Sequence, residues 1–430
     1  MKKLLIAATV VLVSSSPLVL LPMEKELALT SKQVQKLTQN TTASLSQFKQ
    51  IPKNPRTITN ILTYKNKELT EFKTSIQADT KLSISAIFWN AKGEPVFQLQ
   101  DGDYVAASQK SIVDDSIYNQ KPVDMTFWTK DGLTVYKEPY VLGTEKADSK
   151  LASFKPIKVS QAAQTHAGTY YLVDGEGWIN ASDLSTTDNR IEAVQKVLNE
   201  KYNNQERISV YVKQLDTDRV AAINDEKSMY AASVAKLGVL YYAQERLSQE
   251  KLALSDEYQY TSAVNGFPGA YDPDGSGKIS KMPDDKNYSL ENLLKAVAQN
   301  SDNVATNILG YYVTNQYDKA FQKSVDKAAA TSWNMDKKEL TARAAGTLME
   351  AVYRQNGDII NYLSSTDYDG ERISKNIDVP VAHKIGDAYD FKHDVAIVYA
   401  DSPFILSIFT DKEGYDKITS IADDVYGILK

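Results

Sequence analysis

The spacing of apolar and polar positions changes several times along the chain, and each change predicts a different kind of structure. Residues 1–23 begin with two lysines and continue as an apolar run that Pro17 interrupts, which is typical of a secretory signal or a signal-anchor. The run from Leu4 to Met23 is long enough to span a bilayer, which takes about 20 residues. Because Pro17 directly follows the small residues that offer a cleavage site, we favour an uncleaved anchor over cleavage. In either case we expect the remaining chain to lie outside the cytoplasm.

Two different patterns follow this apolar start. Residues 24–74 are polar and rich in Lys, Gln and Thr, which predicts a helical or partly disordered stalk without chemistry. Residues 75–186 consist of short alternating runs between turn residues, as at Leu82–Phe88, which predicts strands. Tyr170–Val173 and Gly177–Ile179 flank a turn, so we predict that they form a hairpin that closes a small barrel.

A loose internal repeat lies in the same β-rich part of the chain, where Gly102–Ser108 reappears as Glu176–Ser182. Together with the predicted hairpin, this repeat resembles the bacterial SH3-like and GW-type modules that bind cell-wall polymers. The resemblance implies two such modules in residues 75–186 and a wall polymer as their partner. A β-rich spacer that binds nothing is the alternative.

The remaining residues, 187–430, alternate between helical and strand spacing. The predicted order is a helix near residue 190, a strand at 208–215, several helices, strands at 393–400 and 403–410 and a last helix from about 418. This order predicts an α+β domain in which the first and last helices cover one face of an antiparallel sheet.

The composition excludes several functions. The chain has 430 residues, with 49 basic and 55 acidic side chains and a formal net charge of −6, so it lacks the basic excess of a nucleic-acid-binding protein. It contains no cysteine, which excludes disulfides, thiolate metal sites and cysteine nucleophiles. Three histidines leave little material for a histidine metal site or a Ser-His-Asp triad. We therefore predict no metal and no cofactor, and a nucleophile that uses a base other than histidine.

One acidic loop, Asp272–Gly277, resembles the start of a calcium-binding EF-hand loop. An EF-hand also needs a bidentate Glu at its twelfth position, and Pro283 stands there. We therefore interpret the loop as a turn rich in Gly and Pro rather than as a metal site.

The first candidate for chemistry is the pair Ser233 and Lys236, which lies in a stretch of good helix formers. Residues at i and i+3 share a helix face, and a serine hydroxyl needs an adjacent base to become a nucleophile. A buried lysine provides such a base, because burial and cationic neighbours lower the pKa of an ammonium group. The same spacing also occurs at Ser46, Ser248 and Ser324, so the pair alone predicts little.

Two further motifs give the pair its meaning. A Ser-Asp-Asn tripeptide starts at Ser301 after a predicted helix, and a Lys-Ile-Gly tripeptide starts at Lys384 in a predicted strand. In this order, Ser-x-x-Lys, Ser-Asp-Asn and Lys-[Thr/Ser]-Gly resemble the signature of class A β-lactamases and penicillin-binding proteins. The resemblance covers residues 187–430 and implies a β-lactamase/transpeptidase-like fold, with an antiparallel sheet, flanking helices and a helical cluster.

The resemblance implies catalytic roles for four side chains. Ser233 attacks a carbonyl carbon and becomes acylated, and Lys236 is the candidate base. Ser301 relays a proton to the leaving amine, and Lys384 supplies positive potential for Ser301 and for a substrate carboxylate.

The resemblance also implies a substrate-binding set. Asn303 hydrogen-bonds the substrate amide and the lysine base. The backbone N–H groups of Ser233 and Asp387 form the oxyanion hole, which stabilises the charge that develops in the transition state. Ile385 and Gly386, the last two residues of the third motif, complete the set.

Two departures from the family pattern bear on activity. Ile385 stands where the family has Thr or Ser, and it cannot donate a hydrogen bond to a substrate carboxylate. Between Ser301 and Lys384 there is no Glu-x-x-x-Asn of the kind whose Glu activates the deacylating water. Glu339 is the nearest candidate, and a charge that complements a helix terminus is the simpler interpretation. We therefore predict a poor deacylator.

Three functional hypotheses stay open. The first is a membrane-anchored or secreted, cell-wall-associated serine hydrolase that acts on β-lactams or on peptidoglycan peptides. The second is a catalytically inactive domain that binds wall polymer or acts as a scaffold. The third is an esterase or amidase whose substrate has no carboxylate, which would suit Ile385. We favour an enzyme, because a scaffold does not need an ionisable lysine in a pocket, where burial is costly.

Overall fold

The computed structural model describes residues 46–430, so the predicted signal or anchor at 1–23 and the first part of the stalk lie outside the described residues. The chain divides into two compact units, with the boundary between Ser116 and Ile117. Within residues 46–430, the helices are all too short or too polar to cross a membrane.

The first unit contains a small antiparallel β module. Its five-stranded sheet has the order β3-β2-β6-β5-β4, and β1 pairs with β7 beside it. Phe48, Phe97, Val105 and Ile112 form the centre of its core. The strands of this module are β1 Pro55–Thr57, β2 Ile61–Tyr64, β3 Phe72–Ile76, β4 Ile84–Trp89, β5 Pro95–Leu99, β6 Tyr104–Ala106 and β7 Ile112–Asp114.

The start of this module corrects the predicted stalk. Residues 55–74, which we assigned to the stalk at 24–74, form β1, β2 and most of β3. The polar composition concealed the strands because threonine takes inward-facing positions. Thr57 and Thr63 are fully buried, and Thr63 alternates with the exposed Leu62. β-branched threonine favours strands, so a polar composition here does not indicate a linker.

The second unit begins with another antiparallel β module. Its six strands have the order β13-β8-β10-β11-β12-β9. The predicted hairpin is confirmed, since β11 pairs antiparallel with β12 and Tyr171 lies opposite Ile179. The strands are β8 Asn119–Thr129, β9 Val135–Tyr136, β10 Pro156–Thr165, β11 Gly168–Val173, β12 Gly177–Asn180 and β13 Leu184–Ser185, with a 3-10 turn at Ala181–Asp183.

The α+β domain follows directly. Its main sheet is antiparallel, with the order β15-β14-β22-β21-β20. The strands are β14 Ile208–Gln214, β15 Val220–Ile223, β16 Met229–Tyr230, β17 Glu257–Gln259, β18 Asn287–Ser289, β19 Glu339–Leu340, β20 Val381–Ala388, β21 Phe391–Val398 and β22 Phe404–Asp411. The helices are α1 Arg190–Lys201, α2 Leu237–Ser248, α3 Leu290–Asn300, α4 Asn303–Tyr312, α5 Lys319–Ala329, α6 Ala342–Gln355, α7 Asp358–Leu363 and α8 Tyr415–Leu429, with 3-10 turns at Ala232–Lys236, Ser262–Asn265 and Ser374–Asn376.

The sheet separates two hydrophobic cores. On one face, α1 and α8 pack on β14 and β22 through residues such as Val194, Val210 and Ile421. On the other face, the helical cluster packs on the sheet around Leu240, Ile308 and Leu348. The predicted α+β class, in which the first and last helices cover one face, is therefore confirmed. The three motifs lie on the side of the helical cluster.

Candidate active site

Ser233 lies in a short 3-10 helix, Ala232–Lys236, which leads into α2; we call this helix the nucleophile turn. A 3-10 helix has three residues per turn, so the side chains of Ser233 and Lys236 lie one above the other. Ala232 has a φ of +49°, a left-handed conformation that costs a non-glycine residue about 1 kcal/mol or more. This strained residue immediately precedes the predicted nucleophile.

Lys236 is fully buried, and its contacts join the first two motifs. Its Nζ donates to the backbone oxygen of Ser301 and to Oδ1 of Asn303, both at 2.6 Å. The same nitrogen lies 4.4 Å from the centre of the Tyr271 ring. Burial, and next the positive charge of Lys384, lower the pKa of Lys236 well below its usual value. The neutral amine that a base requires is thereby favoured.

Lys384 joins the third motif to the second. Its Nζ donates to Oγ of Ser301 at 2.7 Å and to the backbone oxygen of Ile385 at 3.1 Å. Burial lowers the pKa of Lys384 to about 7, although the carboxylate of Asp394 opposes the shift. Ser301 caps the C-terminus of α3 with a φ of +54°, so a second left-handed non-glycine residue lies in the site.

The acidic loop that resembles a calcium loop packs on the second motif instead. Asp302 caps α4 and also accepts the main-chain N–H groups of Lys278 and Ile279, which directly follow this loop, at 2.6 and 2.9 Å. Asn303 donates its amide to the backbone oxygen of Asp272 at 2.7 Å. A Cβ at Gly277, where φ is +122°, would lie 2.2 Å from Asp302, and one at Gly275 would lie 2.3 Å from Asn303. The glycines are therefore needed for close packing.

The third motif brings β20 against the nucleophile turn. A Cβ at Gly386 would lie 2.6 Å from the backbone oxygen of Ala231 and 3.0 Å from Val234, so only glycine allows this approach. Successive side chains in a strand point to opposite faces. Lys384 and Gly386 accordingly face the nucleophile turn, whereas Ile385 and Asp387 belong to the other face.

The carboxylate of Asp387 is already engaged within the protein. It accepts from Nη2 of Arg372 at 2.8 Å, from Nζ of Lys392 at 2.5 Å and from the hydroxyl of Tyr415. Arg372 is almost fully buried and also lies 3.8 Å from the centre of the Tyr415 ring. Ile385 is buried beside this cluster. The charges near the predicted carboxylate subsite are therefore paired with each other.

Glu339 does not stand where a deacylating base is needed. It is exposed and belongs to the two-residue strand β19, where it lies opposite Tyr230. The helix that we expected to begin beside it starts at Ala342 and is capped by the side chain of Thr341. The interpretation of Glu339 as a helix-terminal charge is therefore corrected, since its backbone is paired in a strand.

Several residues at the site gave no signal in the sequence. Tyr271 is one, because its ring contacts Lys236 although it lies far from the motifs in sequence. Lys338 is another, because its Nζ lies 4.5 Å from the centre of the same ring. Arg372 is a third, and a lone buried arginine has no recognisable spacing. His383 is buried and bonds Asp394, so it does not line the site.

The arrangement of the side chains of the three motifs defines a class of protein. Hydrogen bonds join two buried lysines, Ser301 and Asn303 where a helical cluster meets the edge of an antiparallel sheet, and Ser233 lies one 3-10 turn before the first of these lysines. This arrangement is typical of serine hydrolases with a lysine base. The sequence profile described as the Beta-lactamase enzyme family matches residues 189–429, more than half of the chain. The chain belongs to this family.

Several solved structures are similar to about half of the chain. PBP-A has 15% identity and a TM-score of 0.46 over 56% of this chain and 95% of its own. The TLA-1 extended spectrum β-lactamase has 19% identity and a TM-score of 0.46 over 56% of this chain and 99% of its own. A β-lactamase from Sphaerobacter thermophilus has 15% identity and a TM-score of 0.44 over 56% and 94%. A mutant of PBP-A is known as an acyl-enzyme complex with penicillin-G.

The first β module matches a domain of unknown function, DUF5776, over residues 47–113. This match carries neither an SH3 nor a GW name, so the SH3-like or GW-type assignment stays a prediction. No curated protein sequence matches the chain. In residues 46–430, no group of three or more His, Cys, Asp and Glu side chains has a geometry that suits a metal ion.

Proposed function

We propose that the protein is an extracytoplasmic serine hydrolase, anchored or secreted at the cell wall, which forms an acyl-enzyme at Ser233 with a β-lactam or a cell-wall peptide. One observation carries this proposal. Lys236, buried on the same face of the nucleophile turn as Ser233, bonds the second motif, which Lys384 also bonds. Two buried lysines are costly to maintain, so a protein without catalytic use for them gains nothing from keeping them.

The proposed reaction follows from these contacts. The neutral amine of Lys236 takes the proton of Ser233 as Oγ forms a bond to the substrate carbonyl carbon. Backbone N–H groups of Ser233 and Asp387 stabilise the oxygen that becomes negative. The bond from carbon to the leaving nitrogen then breaks, and the hydroxyl of Ser301 delivers a proton to that nitrogen. Lys384, whose ammonium is bonded to Ser301 Oγ, stabilises the charge on Ser301 while this proton moves and replaces the proton that Ser301 gives up.

Slow deacylation is part of the proposal. In the described part of the chain, the segment between α5 and α6 places Lys338 rather than a carboxylate against the site, and Glu339 is exposed to solvent. An ammonium group that is already protonated does not take a proton from water. The acyl-enzyme would therefore persist, and labelling rather than turnover is the expected reaction with penicillins.

The pairing of Asp387 with Arg372 favours a second candidate class of substrate. Arg372 is paired with Asp387 and with Glu371, and Ile385 offers no hydroxyl, so apart from Lys384 a substrate carboxylate finds neither a free cation nor a donor here. An ester or amide without a carboxylate would lose nothing at this subsite. The second candidate is therefore an esterase or amidase that uses the same Ser233 and Lys236.

Wall binding through the β modules is the remaining part of the proposal. In the second module, Tyr136, Tyr140 and Tyr170 form a cluster whose ring centres lie between 4.9 and 6.4 Å apart. Tyr136 and Tyr140 are half-buried, so each exposes part of a ring. Exposed aromatic faces suit the apolar faces of sugar rings. Binding of the full chain to insoluble peptidoglycan, weakened by Tyr140→Ala, is the expected result.

A labelling experiment tests the hydrolase. The full chain is incubated with a fluorescent penicillin and, separately, with a chromogenic ester that has no carboxylate. Loss of label in Ser233→Ala and retention in Ser248→Ala support acylation at Ser233, since Ser248 is an exposed serine with the same spacing to a lysine. Ester turnover without penicillin labelling supports the second candidate. An unreactive protein that still binds peptidoglycan would indicate a scaffold and overturn the proposal.

A further inference from the structure

A third lysine lies against the candidate active site. Lys338 ends the segment between α5 and β19, and its side chain is buried. Its Nζ donates to the backbone oxygen of Gly269 at 3.0 Å, and its own backbone oxygen accepts from the N–H of Ala231 at 2.7 Å. Its φ is +54°, a left-handed conformation that a lysine adopts at a cost. The backbone is thus held in an unfavourable state that directs this ammonium inward.

Lys338 and Lys236 share one aromatic ring. Their Nζ atoms lie 4.5 and 4.4 Å from the centre of the Tyr271 ring, so the two nitrogens are at most about 9 Å apart. The ring is fixed from its backbone, because Asn307 bonds both the N–H and the carbonyl of Tyr271. Its hydroxyl donates to the backbone oxygen of Ala232 at 3.3 Å. The spacing between the two lysines is therefore set by a rigid part of the core.

The charges that face Lys236 are mostly positive. Lys384, Lys338 and Lys281 oppose its protonation, and Asp302 favours it. Asp302 also caps α4 and accepts the main-chain N–H groups of Lys278 and Ile279, and these neutral donors leave its negative charge in place. Burial also lowers the pKa of Lys338, although Asp336 opposes this shift. The cation at position 338 is therefore one of three that together oppose the carboxylate of Asp302 at Lys236.

We propose that Lys338 is a positioning residue of this site, which acts across the Tyr271 ring to keep the amine of Lys236 in the neutral form that takes the serine proton. The inference rests on the proposed function, and it adds a residue outside the three motifs. The segment that carries Lys338 also bonds the main chain before Ser233, so one residue fixes both the position of the nucleophile turn and the charge state of its base.

The test is a titration of Lys236 that does not depend on activity. The full chain is labelled with lysine that carries ¹³C at Cε, and the Lys236 signal is identified by its loss in Lys236→Met. We expect the signal of the unchanged protein to titrate below the ordinary value of a lysine. In Lys338→Met and Lys338→Gln we expect the midpoint to rise by at least about one pH unit, the effect of one charge at about 9 Å in a partly polar interior.

Two variants separate charge from structure. Lys338→Arg keeps the cation and is expected to restore the low midpoint. Lys337→Met removes the neighbouring exposed lysine of the same segment and is expected to leave the midpoint unchanged. An unchanged midpoint in both Lys338→Met and Lys338→Gln would overturn the inference, as would an ordinary midpoint in the unchanged protein. A low midpoint that depends on Lys338, in a protein that reacts with no penicillin or ester, would support the inference and contradict the hydrolase.

Discussion

The two faces of β20 hold different chemistry. On the face towards the nucleophile turn, Lys384 bonds Ser301 and Gly386 allows close approach, as the family's motifs imply. On the opposite face, Ile385 stands where the family has the hydroxyl side chain of Thr or Ser. The carboxylate of Asp387 is paired there with the buried guanidinium of Arg372. Because side chains alternate along a strand, one face can keep its reaction centre while the other loses its charge recognition. We therefore expect the proposed reaction and the recognition of substrate charge to be separable in this domain.

A pair of histidines shows the same contrast. His393, in β21, donates to the backbone oxygen of Tyr230 on the nucleophile side, at 2.9 Å. Burial lowers its pKa to about 4, so the ring is neutral. His383, in β20, lies on the other face, and although burial opposes it, the carboxylates of Asp394 and Asp369 raise its pKa to about 9. One face thus holds a neutral ring and the other a cation.

The largest expected effect comes from removing the base on the nucleophile side. Lys236→Met should slow acylation of Ser233 by about 10³-fold, because the serine loses its proton acceptor and the carbonyl of Ser301 loses its donor. Rates of labelling by a fluorescent penicillin, or of ester hydrolysis where no label forms, measure this. Lys251→Met, a change at the exposed lysine of a decoy pair, serves as the control. Equal rates in the two variants would contradict the assignment of Lys236.

The histidine pair is expected to limit stability at both ends of the pH range. The pKa of His393 is about 4 in the folded state, below its value in the unfolded chain. The free energy of unfolding therefore falls by about 3 kcal/mol as the pH falls from 6.5 to 4. A folded pKa of about 9 for His383, above the unfolded value, adds about 3 kcal/mol of stability below pH 6.5 that is lost as the pH rises to 9. Denaturant unfolding across pH measures both limbs.

Single variants show which histidine causes the loss of stability at low pH and which causes the loss at high pH. His393→Gln should flatten the loss of stability below pH 6.5, and His383→Gln should flatten the loss above it. His166, the third histidine, has an exposed ring in the second β module, and His166→Gln should change neither limb. If His383→Gln flattened the acid limb instead, the neutral ring would lie on the face of His383, and the contrast between the two faces of the sheet would be reversed.

Much of the β-lactamase-like domain is predictable from residue spacing. The periodicity of α1 and α8 predicted two helices on one face of the sheet, and the strands at 391–398 and 404–411 match the predicted ones closely. Gly386 and Lys384 were identified as parts of one motif. The predictions of helices and strands succeeded because each depends on a local pattern, and a local pattern needs no knowledge of distant contacts.

The parts that escaped prediction depend on contacts between distant segments. Tyr271 and Lys338 are 67 positions apart in sequence, and only the folded chain brings their side chains together. The strands before residue 75 were missed because buried threonines gave them a polar composition. Ile385 was identified as a departure, but the pairing of Asp387 with Arg372 behind it was invisible, since a carboxylate in a sequence does not reveal its partner.

The pairing of Asp387 with Arg372 gives the smallest of the expected effects and the sharpest test of the difference between the two faces of β20. Asp387→Asn should leave Arg372 paired with Glu371 alone and shift relative reactivity by about tenfold towards penicillin G over its methyl ester, because one of the two carboxylates that offset the Arg372 charge is removed. Competition between the two compounds for labelling measures the ratio. Asp390→Asn, an equal charge change at an exposed position of the following turn, should leave the ratio unchanged. A ratio that moves towards the ester would mean that Arg372 does not face the substrate, and that recognition of charge lies elsewhere in the domain.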